Sequence, residues 1–91
     1  MAKVLVVIKI LPTDIDIDLE QLVSKIKSSL PNIYDFKTYE IEPIAFGLKA
    51  LRLFILMPED IEGGTESLEN IIQSVEGVSQ LEVETVHRVP D

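Results

Sequence analysis

The spacing of apolar residues along the chain alternates between every second position and every third or fourth, and each change marks an element. Lys3 to Leu11 is short and rich in Val, Ile and Leu, which reads as a strand. Val4, Val6, Ile8 and Ile10 fall on one face of it, and Leu5, Val7, Lys9 and Leu11 on the other. Both faces are mostly apolar, so this strand is expected at the centre of a sheet, ending at Pro12. The repeat then lengthens. Leu19, Leu22, Val23, Ile26 and Leu30 form one stripe while Gln21, Ser24, Lys25 and Ser28 face water, the pattern of a helix packed on a sheet and stopped by Pro31. Ile33 to Glu42 returns to strand formers spaced by charges, the mixture of an edge strand. Leu48 to Met57 is a third strand, closed by Pro58. Leu68, Ile71, Ile72 and Val75 mark a second helix, with Thr65 expected as its N-cap and Gly77 at its C-terminal cap. In the last strand, Val78 to Val89, Leu81 and Val83 alternate with Glu82 and Glu84.

The order βαββαβ has a simple two-layer solution. It is an α+β, ferredoxin-like sandwich: a four-stranded antiparallel sheet with two helices on one face. Two right-handed crossovers would put the first and third strands in the middle, in agreement with the apolar character of both faces of the first. No linker, repeat or low-complexity stretch interrupts residues 1–91, which read as a single domain.

Between the second and third strands lies Glu42-Pro43-Ile44-Ala45-Phe46-Gly47-Leu48-Lys49-Ala50-Leu51. Pro43 and Gly47 break any regular element, so a loop opening into a strand is expected. Phe46 is the unusual residue there: it either plugs the end of the core or is presented outward as an anchor for a partner protein. The topology puts this loop at one end of the sheet and Arg88, on the last strand, at the other. For strands of about eight residues the separation is about 25–30 Å, a span suited to something larger than a small ligand.

Charge and composition narrow the chemistry. Sixteen acidic residues oppose eight basic ones, for a net charge of −8, which argues against direct binding to nucleic-acid backbones and suits a partner with a basic patch. There is no cysteine and a single histidine, so thiolate and His-rich metal sites are excluded. No apolar run approaches the ~20 residues of a membrane helix, and the Val4 to Ile8 run lacks the flanks of a signal peptide. The protein is expected to be soluble and cytoplasmic. Asp14, Asp16 and Asp18 invite a calcium-loop reading, but that loop needs Gly and Glu where Leu19 and Lys25 stand, and Asp18 is better placed as a helix N-cap. Glu62-Gly63-Gly64-Thr65 lacks the lysine and the context of a phosphate-binding loop and reads as a turn. His87 has no nucleophile in its surroundings along the chain. No catalytic residues, metal or cofactor are expected, and the residues by themselves point to a binding module.

Pro43 to Leu51, together with Glu62-Gly63-Gly64-Thr65 and the closing Val86-His87-Arg88, resembles the archaeal translation elongation factor 1-beta family and its relative, the C-terminal exchange domain of eukaryotic elongation factor 1-beta. The resemblance covers essentially the whole chain. It implies a ferredoxin-like fold and a guanine-nucleotide exchange factor, without covalent chemistry of its own, that releases GDP from elongation factor 1-alpha. It also implies partner contacts through Pro43, Ile44, Phe46, Gly47, Lys49, His87 and Arg88. In the family the loop aromatic, here Phe46, packs against the second domain of the GTPase. A basic residue near the chain end reaches the nucleotide site and disturbs magnesium and phosphate; here it corresponds to Arg88, followed by Val89-Pro90-Asp91, where the eukaryotic form has Lys. The alternative is a ligand-sensing regulatory domain that self-associates through an open sheet face carrying Leu5, Val7, Phe54 and Leu56.

Overall fold

The computed structural model describes residues 2–89. Six elements follow one another as β1 (Lys3–Pro12), α1 (Leu19–Ser29), β2 (Asp35–Ala45), β3 (Leu48–Pro58), α2 (Thr65–Gln73) and β4 (Val78–Val89). All strand pairs are antiparallel and the sheet order is β2-β3-β1-β4, so β1 and β3 are central, as the two apolar faces of β1 require. Val6, Ile8 and Ile10 of β1 and Leu51, Leu53, Ile55 and Met57 of β3 alternate onto one face, where Leu22, Val23 and Ile26 of α1 and Leu68 and Ile72 of α2 cover them. No polar or charged side chain among the described residues is buried. At about 1.5–3 kcal/mol for each aliphatic side chain taken from water, this layer dominates the favourable side of folding.

The helix ends show which local signals prevailed. Asp18 caps α1 as expected, its Oδ1 accepting hydrogen bonds from the backbone N–H of Glu20 at 3.0 Å and Gln21 at 3.3 Å. Thr65 is not the cap of α2. It is the first helical residue, Gly64 occupies the cap position, and the Thr65 hydroxyl donates to Glu69 Oε2 at 2.9 Å. Gly63 and Gly64 both have positive φ, so the chain enters the helix by a path that leaves no side chain where a cap would stand. Nor does Gly77 cap α2. The helix is capped by Ser74, and Gly77 (φ 105°) makes the turn into β4 close to Leu22 and Ile17. Strand β2 starts at Asp35 rather than Ile33, because the Tyr34 N–H turns back to the Pro31 carbonyl at 3.0 Å and the Tyr34 ring is buried.

The other sheet face has no helix on it. Its apolar part is where the alternation puts it, with Leu5 opposite Leu56 and Val7 opposite Phe54. The rest is charged and centred on Arg52, whose Nε donates to Glu84 Oε1 at 2.6 Å while the guanidinium also pairs with Glu42 and, at 3.7 Å, with Glu40. Arg52 lies on β3, Glu40 and Glu42 on β2 and Glu84 on β4, so one side chain links three strands and reaches across β1. A register shift in β4 between the residues facing Val7 and Ile8 leaves Glu84 as the extra residue and brings its carboxylate onto the open face.

The hydrogen bond from Arg52 holds the Glu84 carboxyl below its ordinary value of 4.5. A carboxyl lowered in the folded state contributes stability that is complete above its unfolded value and disappears as pH falls through the folded value. In urea denaturation the wild-type chain should therefore exceed Glu84→Gln in midpoint at neutral pH. The gap should narrow as the pH is taken below 4.5, and a gap that is constant through the acid range would exclude this linkage.

Candidate partner-binding site

The stretch expected to be a loop is mostly strand. Pro43, Ile44 and Ala45 belong to β2, Leu48 and Lys49 to β3, and only Phe46 and Gly47 connect them. Pro43 is tolerated because β2 is an edge strand that need not offer every N–H to the ladder. Lys49 faces Pro43 and Leu48 faces Ala45, which leaves Ile44 as an extra residue, 45% exposed. A bulge of this kind re-aims a side chain, and Ile44 shares a hollow with Lys9, Leu11 and Gln80.

The turn itself rules out one of the two readings of Phe46, the plug at the end of the core. Both connecting residues have positive φ, 53° at Phe46 and 78° at Gly47, the backbone of a turn whose twist matches that of the flanking strands. Gly47 adopts it freely. Phe46 is the only non-glycine with positive φ among the described residues, and for a bulky side chain that conformation costs about 1–2 kcal/mol. Its ring is 100% exposed, so it plugs nothing. A strained, wholly solvated aromatic contributes no packing to this fold.

His87 and Arg88 lie at the far end. His87 faces Leu5 on the open side of the sheet, and Arg88 faces Val4 on the other side. Arg88 Nε donates to Glu59 Oε2 at 3.1 Å, in the turn after β3, where the Glu59 N–H is tied to the Ala2 carbonyl. Pro90 and Asp91, which follow it, lie outside the described residues. Thus five of the expected contact residues gather around the hairpin and two lie at the other end of the sheet. Ala45 pairs with Leu48, whereas Arg88 is level with Val4 and so with Met57. Nine strand residues at ~3.3 Å each separate the two levels by about 30 Å, along the 42 Å long axis. Glu59 and the Arg52 cluster escaped the sequence reading. The alternating Glu40 and Glu42 were a signal for the second, but pairing them with Arg52 requires the register.

Among the described residues, no group of three or more His, Asp or Glu side chains is arranged to hold a metal ion. Asp14 Oδ1 accepts from the Asp16 N–H at 2.6 Å and Asp18 caps α1, so those carboxylates serve the local backbone. No helix among the described residues is long and apolar enough to cross a membrane.

Fold and site together define a small α+β module with exposed groups at both ends of its sheet. The likeness to the solution structure of the C-terminal domain of the MgtC protein from Mycobacterium tuberculosis concerns the fold alone: TM-score 0.54, 14% identity, 91% of this chain and 85% of that one. Sequence relatives go further. Elongation factor 1-beta of Staphylothermus marinus is 67% identical over 98% of this chain and 99% of its own length. That of Desulfurococcus amylolyticus is 56% identical over the same shares, and that of Hyperthermus butylicus 54% identical over 100% and 99%. The family described as the EF-1 guanine nucleotide exchange domain matches residues 5–89, and the chain belongs to it. Its role is that of a nucleotide exchange factor in translation elongation, which implies a GTPase partner. These relatives, all archaeal, do not favour the ligand-sensing alternative.

Asparagine is the residue that this turn position prefers. Phe46→Asn should therefore raise the midpoint of urea denaturation, by the equivalent of about 0.5–1 kcal/mol. A lower midpoint would show that the ring makes stabilising contacts in spite of its exposure.

Proposed function

We infer that the chain, acting as a single exchange domain over residues 1–91, promotes release of GDP from elongation factor 1-alpha by engaging it at two places. The observation that carries this reading is the placement of an unburied, strained Phe46 at one end of the sheet, with Arg88 on β4 about 30 Å away by strand rise at the other. In this reading the hairpin end, with Pro43, Ile44, Phe46, Gly47 and Lys49, docks on the GTPase and supplies affinity. The β4 end, with His87 and Arg88, is held against the nucleotide site. There a guanidinium competes with magnesium for the groups around the phosphates, and the GTPase–GDP complex loses stability relative to the complex with the exchange domain. Release follows from that difference in affinity, since two ligands that weaken each other's binding do so reciprocally.

The chain makes and breaks no covalent bond in this process, needs no cofactor and contacts neither nucleic acid nor membrane. The cytoplasm, where translation takes place, is its compartment. Arg88 is a flatter and wider cation than the lysine of the eukaryotic form, so it acts from the rim of the magnesium site rather than from within it. Its ion pair with Glu59 is solvent-exposed and therefore weak, which lets the side chain leave for a more strongly anionic site.

The test is release of a fluorescent GDP analogue from elongation factor 1-alpha at fixed magnesium. Substoichiometric amounts of the chain should accelerate release. Phe46→Ala should raise the concentration needed for half-maximal acceleration about tenfold, whereas Arg88→Ala should lower the maximal rate with little change in that concentration. Equal losses of docking in both variants would refute the division of labour between the two ends. No acceleration by the wild-type chain, with the GTPase releasing its nucleotide normally in EDTA, would refute the function.

A further inference from the structure

Large apolar side chains are unevenly exposed on this molecule. Among the described residues, Ile15, Ile41, Ile44 and Phe46 are all exposed at the hairpin end, against Ile33 and Val86 elsewhere. Ile15 belongs to the β1–α1 loop, yet it shares a cleft of about 350 Å³ with Ile41, Gly47 and Lys49 of the hairpin. The cleft is therefore continuous with the turn that carries Phe46. Ile15 is 62% exposed, whereas its neighbour Ile17 packs against the core. The loop is held by the Asp16 N–H on Asp14 Oδ1 and by the Asp18 cap, so Ile15 stays outside as a consequence of the fold. Asp14, Asp18 and Glu20 line the same cleft, with Lys49 as its one cation.

The geometry points to this cleft as a second docking subsite, which receives a segment of the partner GTPase bearing an aliphatic side chain flanked by Lys or Arg. The inference rests on the exchange reading and adds the chemistry that the hairpin end recognises beyond the Phe46 ring. The aliphatic side chain covers Ile15 and Ile41 and removes their apolar surface from water. The flanking cations meet the carboxylates of the rim, in a chain whose net charge of −8 already steers a basic surface toward it. A second copy of the chain is a poor occupant, because the same acidic rim would face itself.

Binding of the full-length chain to GDP-bound elongation factor 1-alpha, measured by calorimetry between about 50 and 300 mM salt, tests the inference. Ile15→Ser should weaken binding about tenfold while leaving the thermal midpoint unchanged. Glu20→Gln should reduce the salt dependence of the affinity, an effect that a structural role for Glu20 would not produce. Wild-type affinity and an unaltered salt dependence in both variants, alongside weakened binding by Phe46→Ala, would overturn the subsite and leave the exchange function intact. Absence of binding by the wild-type chain would overturn the exchange reading itself, and the subsite with it. A wild-type dimer in sedimentation that Ile15→Ser dissociates would replace the GTPase segment with a second copy as the occupant.

Discussion

The antiparallel pairing of β1 with β3, in register from Lys3 opposite Pro58 to Ile10 opposite Leu51, is the constraint on which the rest of the structure depends. Each of these strands is mostly apolar on both faces, so neither can sit at an edge without exposing a row of large side chains to water. Placing them together in the middle creates one continuous aliphatic layer, and α1 and α2 exist in this chain to cover it. An isolated helix of nine or eleven residues is marginal in water. Their stability comes from Leu22, Val23, Ile26, Leu68 and Ile72, which are almost completely buried against that layer.

The opposite face has no second helical layer and is handled by other means. Half of it pairs Leu5 with Leu56 and Val7 with Phe54; the other half is occupied by the ionic cluster around Arg52. Exposed ion pairs contribute little to stability one at a time. A bidentate guanidinium that reaches carboxylates on β2 and β4 nevertheless favours one arrangement of the strands over a slipped one, since a shift by one residue would carry Glu40, Glu42 or Glu84 to the wrong face. The sheet is thus stabilised on one side by burial and made specific on the other by charge.

Because the core lies along the middle of the sheet, both ends are released from structural duty. Phe46 and Gly47, in the two-residue turn between β2 and β3, and His87 and Arg88, on β4, are all exposed, and each pair is held by strands rather than by a long loop. The strands act as a rigid spacer between two exposed groups. The distance between the groups is set by the strands and does not depend on the conformation of a linker. The backbone strain at Phe46 falls at one of these ends, where the hairpin holds an unfavourable φ at a fully exposed residue.

Much of this was legible in the sequence. The period of the apolar residues determined the order βαββαβ, the two central strands and the buried face of each helix, because those properties follow from local spacing and from the cost of leaving apolar surface in water. The motif around Phe46, the turn Glu62-Gly63-Gly64-Thr65 and Val86-His87-Arg88 together indicated the family. Tertiary structure alone decided what depends on register and on backbone dihedrals. Pro43, Ile44 and Ala45 lie in a strand because β3 supplies pairing partners for Pro43 and Ala45 on either side of the bulged Ile44, which outweighs the local tendency of Pro and Gly to break structure. Gly64 rather than Thr65 occupies the N-cap of α2, since the glycine pair takes a path that a side-chain cap could not follow. Bulges in β2 and β4 re-aim Ile44 and Glu84, and only the folded chain brings Ile15 beside Ile41 or Glu59 beside Arg88. Local spacing encodes which face of an element is apolar; which residues of distant elements meet is set by the strand register, and one shifted residue changes it.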